Sequence, residues 1–163
     1  MNPGLLLVIS GPSGVGKGTI CKDLLTMDPT IQLSISMTTR PPREGEIEGR
    51  DYYFTSERLF REFIDQGQLL EWARVYDYYY GTPRKAVTDA QADGRDVLLE
   101  IDVQGGLKVK ENCPDSVLIF VLPPSIEELS RRLAYRNTEN EDQVLVRLRW
   151  AEEELRSYNK YDY

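Results

Sequence analysis

Ser10-Gly11-Pro12-Ser13-Gly14-Val15-Gly16-Lys17-Gly18-Thr19 stands between an apolar run, Leu5-Leu6-Leu7-Val8-Ile9, and a segment whose Ile20, Leu24, Leu25 and Met27 suit one face of a helix. The apolar run reads as a buried parallel strand, so the order is strand, glycine-rich turn, helix. A phosphate-binding loop needs that order. Glycines let backbone N–H groups converge on phosphate oxygens without Cβ obstruction, and the helix N-terminus adds a partial positive charge. Lys17 adds a full one. Gly18 occupies the place where a hydroxyl residue usually completes the pattern, and Thr19 follows it. A divalent cation there must rely on phosphates, water and carboxylates from elsewhere. A ligand-free glycine turn would leave the lysine, its spacing and both flanks unexplained.

The chain has 163 residues, room for one compact domain with small inserted subdomains. Its net charge of −7 argues against broad nucleic-acid binding, although a few converging arginines can still build an anion site. Cys21 and Cys113 lie far apart and outside any metal-ligand spacing, which reads as two free thiols in a reducing compartment. There is no histidine, which excludes Ser-His-Asp and Cys-His catalysis, histidine metal sites and imidazole acid–base chemistry. No stretch approaches membrane-spanning length and the first residues carry no signal-peptide pattern, so the expected setting is cytoplasmic, with no membrane partner.

Further along, Leu33 to Ser36 is a short strand candidate, and Ser36 to Phe54 is a polar, Pro- and Gly-punctuated loop ending in a strand at Tyr52–Phe54. Ser56 caps a helix at Glu57–Asp65, strands follow at Leu69–Tyr76 and Tyr78–Thr82, and a helix at Arg84–Ala92 comes next. Val97–Ile101 is a buried strand closed by Asp102, with a helix around Leu107–Lys110 after Gly105-Gly106. Val117–Leu122 is another strand. Ser125 and Glu128 form a capping box for a helix at Ile126–Tyr135, and Gln143–Tyr158 is a long amphipathic helix with Val144, Leu145, Leu148 and Leu155 on its face. Strands separated by helices give a parallel α/β sheet with ligands beyond the strand carboxyl ends, where Ser10, Asp102 and Pro123 fall. The stretch from Ser34 to Thr82 lacks that alternation and reads as an inserted substrate-binding subdomain.

These segments resemble the guanylate kinase family of nucleoside monophosphate kinases over nearly the whole chain. The resemblance is carried by the loop at Gly11–Thr19, Thr38-Thr39-Arg40-Pro41-Pro42-Arg43-Glu44-Gly45-Glu46, and Gly49-Arg50-Asp51-Tyr52-Tyr53-Phe54. Leu70-Glu71-Trp72-Ala73, Tyr79-Tyr80-Gly81-Thr82, Glu100-Ile101-Asp102-Val103-Gln104-Gly105 and Leu122-Pro123-Pro124-Ser125 add to it, with Arg132, Leu133 and Arg136. It implies an α/β fold of the P-loop NTPase type: a parallel sheet flanked by helices, with an inserted GMP-binding subdomain and a small lid. On this chain the core takes residues 1–33 and 83–124, the GMP subdomain 34–82, the lid region 125–147, and a return helix 148–163. The activity implied is transfer of a phosphoryl group from ATP to GMP, and to dGMP as well, giving ADP and GDP. Mg2+ is the cofactor, held through phosphates and water with no direct protein ligand assigned.

By the same resemblance Gly11, Pro12, Ser13, Gly14, Val15, Gly16, Lys17, Gly18 and Thr19 hold the ATP phosphates, and Arg40, Arg43, Tyr52 and Tyr80 hold the GMP phosphate. Two guanidinium forks and two phenols can saturate a dianion. Read by themselves, Arg40 and Arg43 fit solvated loop charges equally well. Glu71 and Asp102 match the acidic positions that read guanine, with Ser36 and Thr82 as hydroxyl partners of its O6. An ionised carboxylate only accepts, so it suits the N1 and N2 donors of guanine and is repelled by the adenine N1 lone pair. Alone, Glu71 reads as an exposed strand residue and Tyr78 and Tyr79 as core aromatics. Glu100 stands at a position near the GMP ribose or the magnesium shell, or serves Lys17. Arg132, Arg136 and Arg147 match lid arginines around the ATP phosphates, and with Lys17 and Arg40 they form the expected catalytic set.

The resemblance also marks departures. Tyr135 and Asn137 flank Arg136 where the family often has glycines, and the family continues past the position of Tyr163 into one more strand and a helix. Two other readings share many of these residues: a guanylate kinase-like module that binds phosphopeptides, and a kinase with another acceptor. Lys17, the loop glycines and the lid arginines oppose the first, and Glu71 with Asp102 opposes the second.

Overall fold

The computed structural model describes residues 3–135 and 141–163. Its element order is β1 (Leu6–Ser10), α1 (Lys17–Met27), β2 (Gln32–Leu33), β3 (Met37–Thr38), β4 (Tyr53–Phe54), α2 (Glu57–Asp65), β5 (Leu69–Val75), β6 (Tyr78–Pro83), α3 (Arg84–Ala92), β7 (Val97–Glu100), α4 (Val103–Asn112), β8 (Val117–Phe120), α5 (Ile126–Tyr135) and α6 (Glu141–Leu155). One sheet has the order β2-β7-β1-β8, and every pair in it is parallel. β1 lies inside it, with Val8 opposite Leu99 on one side and Leu118 on the other. Val8, Leu99 and Leu118 share a buried cluster with Leu6, Val97 and Val109, while Ile9, Cys21 and Leu98 form a second cluster that Leu24 and Leu25 cover. The apolar runs that looked like continuous hydrophobic strands are therefore buried on both faces, as a parallel sheet requires.

The second sheet runs β4-β3-β6-β5, with β3 antiparallel to β6 and β6 antiparallel to β5. Its small core is Met37, Phe60 and Leu69, with Phe63, Ile64, Trp72 and Tyr79 packed on it. A register shift interrupts β5 between Leu69 and Glu71. Leu69 and Trp72, three residues apart, therefore face the same cluster, whereas Leu70 turns into the main core. A bulge re-aims side chains in this way, and here it sends Glu71 inward, where it is only 5% exposed.

Several boundaries move from their sequence expectations. Of the strand expected at Leu33–Ser36 only Leu33 lies in one, at the end of β2 on the parallel sheet, and β3 on the other sheet begins beyond it at Met37. Strand Val117–Leu122 ends at Phe120, with Leu122 exposed. On α1, Ile20 and Met27 are exposed, and Cys21, Leu24 and Leu25 carry the packing. On α6 the buried face is Val144, Leu148 and Ala151, and Leu145 points outward. Only half of the expected capping box forms: the Glu128 N–H donates to Ser125 Oγ at 3.1 Å, while the Glu128 carboxylate takes Arg131 and Arg132. At the end of the chain Asp162 and Tyr163 run beside β8, and Phe120 N–H donates to the Tyr163 carbonyl at 2.8 Å. No helix among the described residues is long and apolar enough to cross a membrane.

The largest correction concerns α4. It begins at Val103, directly after an Asp102 N-cap whose carboxylate accepts from Gln104 N–H, so Gly105 and Gly106 lie inside its first turns. Close approach explains them. A Cβ on Gly106 would come within 2.5 Å of the Tyr161 hydroxyl and 2.7 Å of Ser10 Oγ. Helix propensity favours alanine over glycine by roughly 1 kcal/mol, but neither obstacle yields easily. Ser10 is fully buried, and the Tyr161 ring is held edge-on against Phe120 at 4.9 Å. Overpacking of this kind costs about 1–3 kcal/mol. We therefore expect Gly106→Ala to lower stability in urea unfolding; an increase would contradict this packing.

Candidate active site

The carboxyl ends of β1 and β7, the N-terminus of α1, the second sheet and α6 enclose a cleft of about 970 Å³. On its first wall the chain leaves β1 at Ser10 and turns through Gly11–Gly16 into α1. Gly16 caps α1 with φ 108°, a left-handed backbone suited to glycine, and no side chain caps the first N–H groups. Lys17 arches back across the loop, its Nζ donating to the carbonyls of Gly11 at 2.7 Å and Pro12 at 3.2 Å. Burial pushes the Lys17 ammonium pKa down, while Glu154, Glu100 and Asp102 pull it back up. A Cβ on Gly18 would sit 3.4 Å from Glu100 Oε1, so the carboxylate stands beside the place where a hydroxyl residue usually completes such loops. Arg132 reaches the same loop from α5: its Nη1 donates to the Val15 carbonyl at 3.1 Å, and its Nε to Glu128 Oε1 at 2.7 Å.

The opposite wall comes from the second sheet. Arg40 follows β3 and is 7% exposed. Its Nε donates to the Tyr80 hydroxyl at 3.2 Å, its Nη2 to Glu46 Oε1 at 2.8 Å, and its guanidinium lies 5.4 Å from the centre of the Tyr52 ring. The other oxygen of Glu46 accepts the Arg43 backbone N–H at 2.7 Å. One carboxylate thus fixes both the guanidinium of Arg40 and the loop that carries Arg43. Tyr52 and Tyr80 meet edge-on at 5.9 Å, and burial raises the Tyr52 phenol pKa, so the Tyr52 hydroxyl stays a protonated donor.

At the floor, Glu71 Oε1 accepts the Thr82 hydroxyl proton at 2.7 Å. Burial raises the Glu71 carboxyl to about 7, with the Thr82 bond opposing and the Asp102 charge adding to the rise. Asp102 is itself raised by burial against the N–H groups of Gln104 and Gly105. Both carboxylates crowd Gly105, where a Cβ would fall 2.7 Å from Glu71 Oε2 and 3.0 Å from Asp102 Oδ1. Glycine at 105 is what lets the two acids share one pocket.

The cleft brings together Gly11, Ser13, Gly14, Gly16, Lys17, Gly18 and Thr19 with Ser36, Arg40, Arg43, Tyr52, Glu71, Tyr80, Glu100, Asp102 and Arg147. Thr82 is fully buried behind Glu71, and Val15 packs inward beneath the loop. Arg136 lies outside the described residues. Glu71 is buried and not the exposed strand residue it would be by itself, and Tyr78 lines the cleft instead of joining the core. Four contributing residues carried no expectation of their own from the sequence. Glu46 sits within a quoted motif, but its partners depend on how the loop closes. Glu154, raised to about 7 by burial and facing Lys17 and Asp102, stands two turns beyond Arg147 on α6, a spacing that could have flagged it. Tyr76 and Trp150 meet across the rim at 5.9 Å.

The chain is similar to known proteins along most of its length. The model of the family described as guanylate kinase matches residues 4–163. A guanylate kinase of Caldanaerobacter subterraneus subsp. tengcongensis is 54% identical over 160 residues, 98% of this chain and 78% of the relative. One from Clostridioides difficile is 53% identical over the same shares. The crystal structure of guanylate kinase from Anaplasma phagocytophilum superposes with a TM-score of 0.81 at 38% identity, covering 100% of this chain and 76% of that one. A family match over nearly the whole chain, joined to the loop, the arginine grip and the paired acids, leaves one assignment: the chain belongs to the guanylate kinase family.

Proposed function

We propose that this chain transfers the terminal phosphoryl group of ATP to the phosphate of GMP, and of dGMP, giving ADP and GDP. The observation that carries the reading is the pairing, in one cleft, of a lysine-bearing phosphate loop with a pocket that joins cations to buried acids. In this reading residues 11–19 cradle the ATP phosphates, and Arg40, Arg43, Tyr52 and Tyr80 hold the GMP phosphate. Glu71 and Asp102 accept the guanine N1–H and N2–H, Ser36 faces O6, and Thr82 stands behind Glu71, to which its hydroxyl donates, instead of reaching O6. Glu100 stands toward the ribose or the metal shell. Lys17 and the arginines at 132, 136 and 147 balance charge on the group in transfer. The oxygen of GMP attacks in line, the bond to the leaving ADP breaks, and positioning and charge supply the catalysis without a covalent intermediate.

In this reading magnesium enters with the ATP substrate, bound through phosphates and water; Gly18 offers no hydroxyl, and Glu100 is the carboxylate beside that end of the loop. Residues 34–82 serve as the acceptor subdomain and 125–147 as the lid region, closing on the core 1–33 and 83–124, to which 148–163 returns. Free nucleotides as substrates and two unpaired cysteines agree with a cytoplasmic setting.

Two measurements check this. Lys17→Ala should lower kcat by about a hundredfold or more, because a cation aimed at developing charge is lost; an unchanged rate would sink the proposal. The second concerns pH. The folded state holds the Glu71 proton up to about 7, against an ordinary value of 4.5. The stability this proton contributes is therefore complete below 4.5 and is lost as pH rises through about 7. Guanine needs the ionised form, so GMP affinity should rise from one unit below to one unit above that value. Glu71→Gln should bind GMP about ten- to hundredfold more weakly at high pH and lose the part of the rise that Glu71 carries, keeping the titration of the GMP phosphate and of Glu154, which also lies at about 7. The same pH rise in the variant would remove Glu71 from the base pocket.

A further inference from the structure

The turn between β5 and β6 reaches across the mouth of the cleft to α6. Tyr76 occupies that turn with φ 54°, a left-handed backbone that is uncommon for a bulky residue. Its ring meets Trp150 edge-on, with centroids 5.9 Å apart and planes at 63°. The Arg147 guanidinium lies 5.6 Å from the centre of the same ring. Tyr76 and Trp150 remain 40% and 46% exposed, so these contacts add little to the core. They do join the two sides of the cleft. The hairpin that ends in Tyr76 carries Glu71 on one strand and Tyr80 and Thr82 on the other. Arg147 and Trp150 lie one turn apart on α6 and face the ring together.

We infer that Tyr76 is a positioning residue for Arg147: seating of the acceptor on the β5–β6 hairpin sets, through the Tyr76 ring, where the donor-side arginine stands. The cation is attracted to the ring face and the indole fixes the ring plane from its edge. The left-handed backbone aims the ring across the cleft, a placement an extended tip residue would not give. The inference rests on the reading of Arg147 as a ligand of the ATP phosphates. It adds that the acceptor half of the site controls that arginine, so losing the ring slows turnover and leaves GMP binding intact.

The test is a mutant cycle on the full chain with ATP, GMP and magnesium. Tyr76→Asn suits the left-handed backbone and removes the ring. It should lower kcat about three- to tenfold, with the GMP dissociation constant within about twofold by calorimetry. Tyr76→Phe should restore the rate. Tyr76→Asn combined with Arg147→Ala should be no slower than Arg147→Ala alone, since a residue acting through another adds nothing once that other is gone. Trp150→Leu should move kcat in the same direction, and it carries the test if the asparagine variant does not fold. A wild-type kcat in Tyr76→Asn beside a slowed Arg147→Ala overturns the inference alone, as does a double variant whose losses multiply. Weaker GMP binding at unchanged kcat reduces Tyr76 to a structural part of the hairpin. A wild-type kcat in Arg147→Ala overturns the underlying role of the arginine, and the inference with it.

Discussion

Two polyanions held end to end in a protein of net charge −7 set the governing constraint. The cations that would hold them are not left to find their places. Glu46 fixes Arg40 at 2.8 Å, with the two side chains 8% and 19% exposed. Glu128 fixes Arg132 at 2.7 Å. Lys17 stands in the field of Glu154, Glu100 and Asp102 while its Nζ rests on loop carbonyls. Each cation thus has an acceptor that orients it before a phosphate arrives. This arrangement costs some positive potential and gains preorganisation, which is where phosphoryl transfer finds most of its rate. It also shows how an acidic chain can carry an anion site: Glu46 and Glu128 stand behind the arginines they place.

The acids of the proposed base pocket obey the opposite logic. Glu71 and Asp102 are driven upward in pKa by burial; among the described residues neither has a salt-bridge partner, and Lys108 and Lys17 oppose the rise only through their fields. They are assembled by backbone devices: the bulge in β5 turns Glu71 inward, the N-terminus of α4 holds Asp102, and Gly105 leaves room for both. A buried carboxylate without a direct ion-pair partner is costly, and the donors of a guanine edge would relieve that cost. Specificity and instability therefore share one origin, and the proton that Glu71 holds up to about 7 is the measurable link between them.

Much of the fold was legible because its signals are local. Apolar runs gave the parallel strands, and Ser56 and Pro83 marked helices whose bounds, Glu57–Asp65 and Arg84–Ala92, agree with the structure. The phosphate loop was legible for the same reason: its glycines, lysine and flanking elements are contiguous. What escaped depends on contacts distant in sequence. Gly105 and Gly106 read as standing before the helix because nothing nearby reveals that Glu71, Ser10 and Tyr161 press against them. Leu145 and Ile20 fit a periodic face as well as their neighbours do, and only the neighbouring elements decide which side is buried. Glu46 and the Tyr76–Trp150 contact required a loop closure and a hairpin reach that no spacing rule encodes.

In the proposed mechanism this cleft phosphorylates a guanine nucleotide, with the base chosen by buried carboxylates. The decisive experiment is an acceptor panel: coupled ADP production from MgATP with GMP, dGMP, AMP, CMP and UMP. Turnover is expected with GMP and dGMP, and kcat/KM for AMP and the pyrimidine nucleotides should be lower by roughly 10⁴, the discrimination available when buried polar groups are left unpaired. Comparable turnover with AMP, or none with GMP, would contradict it.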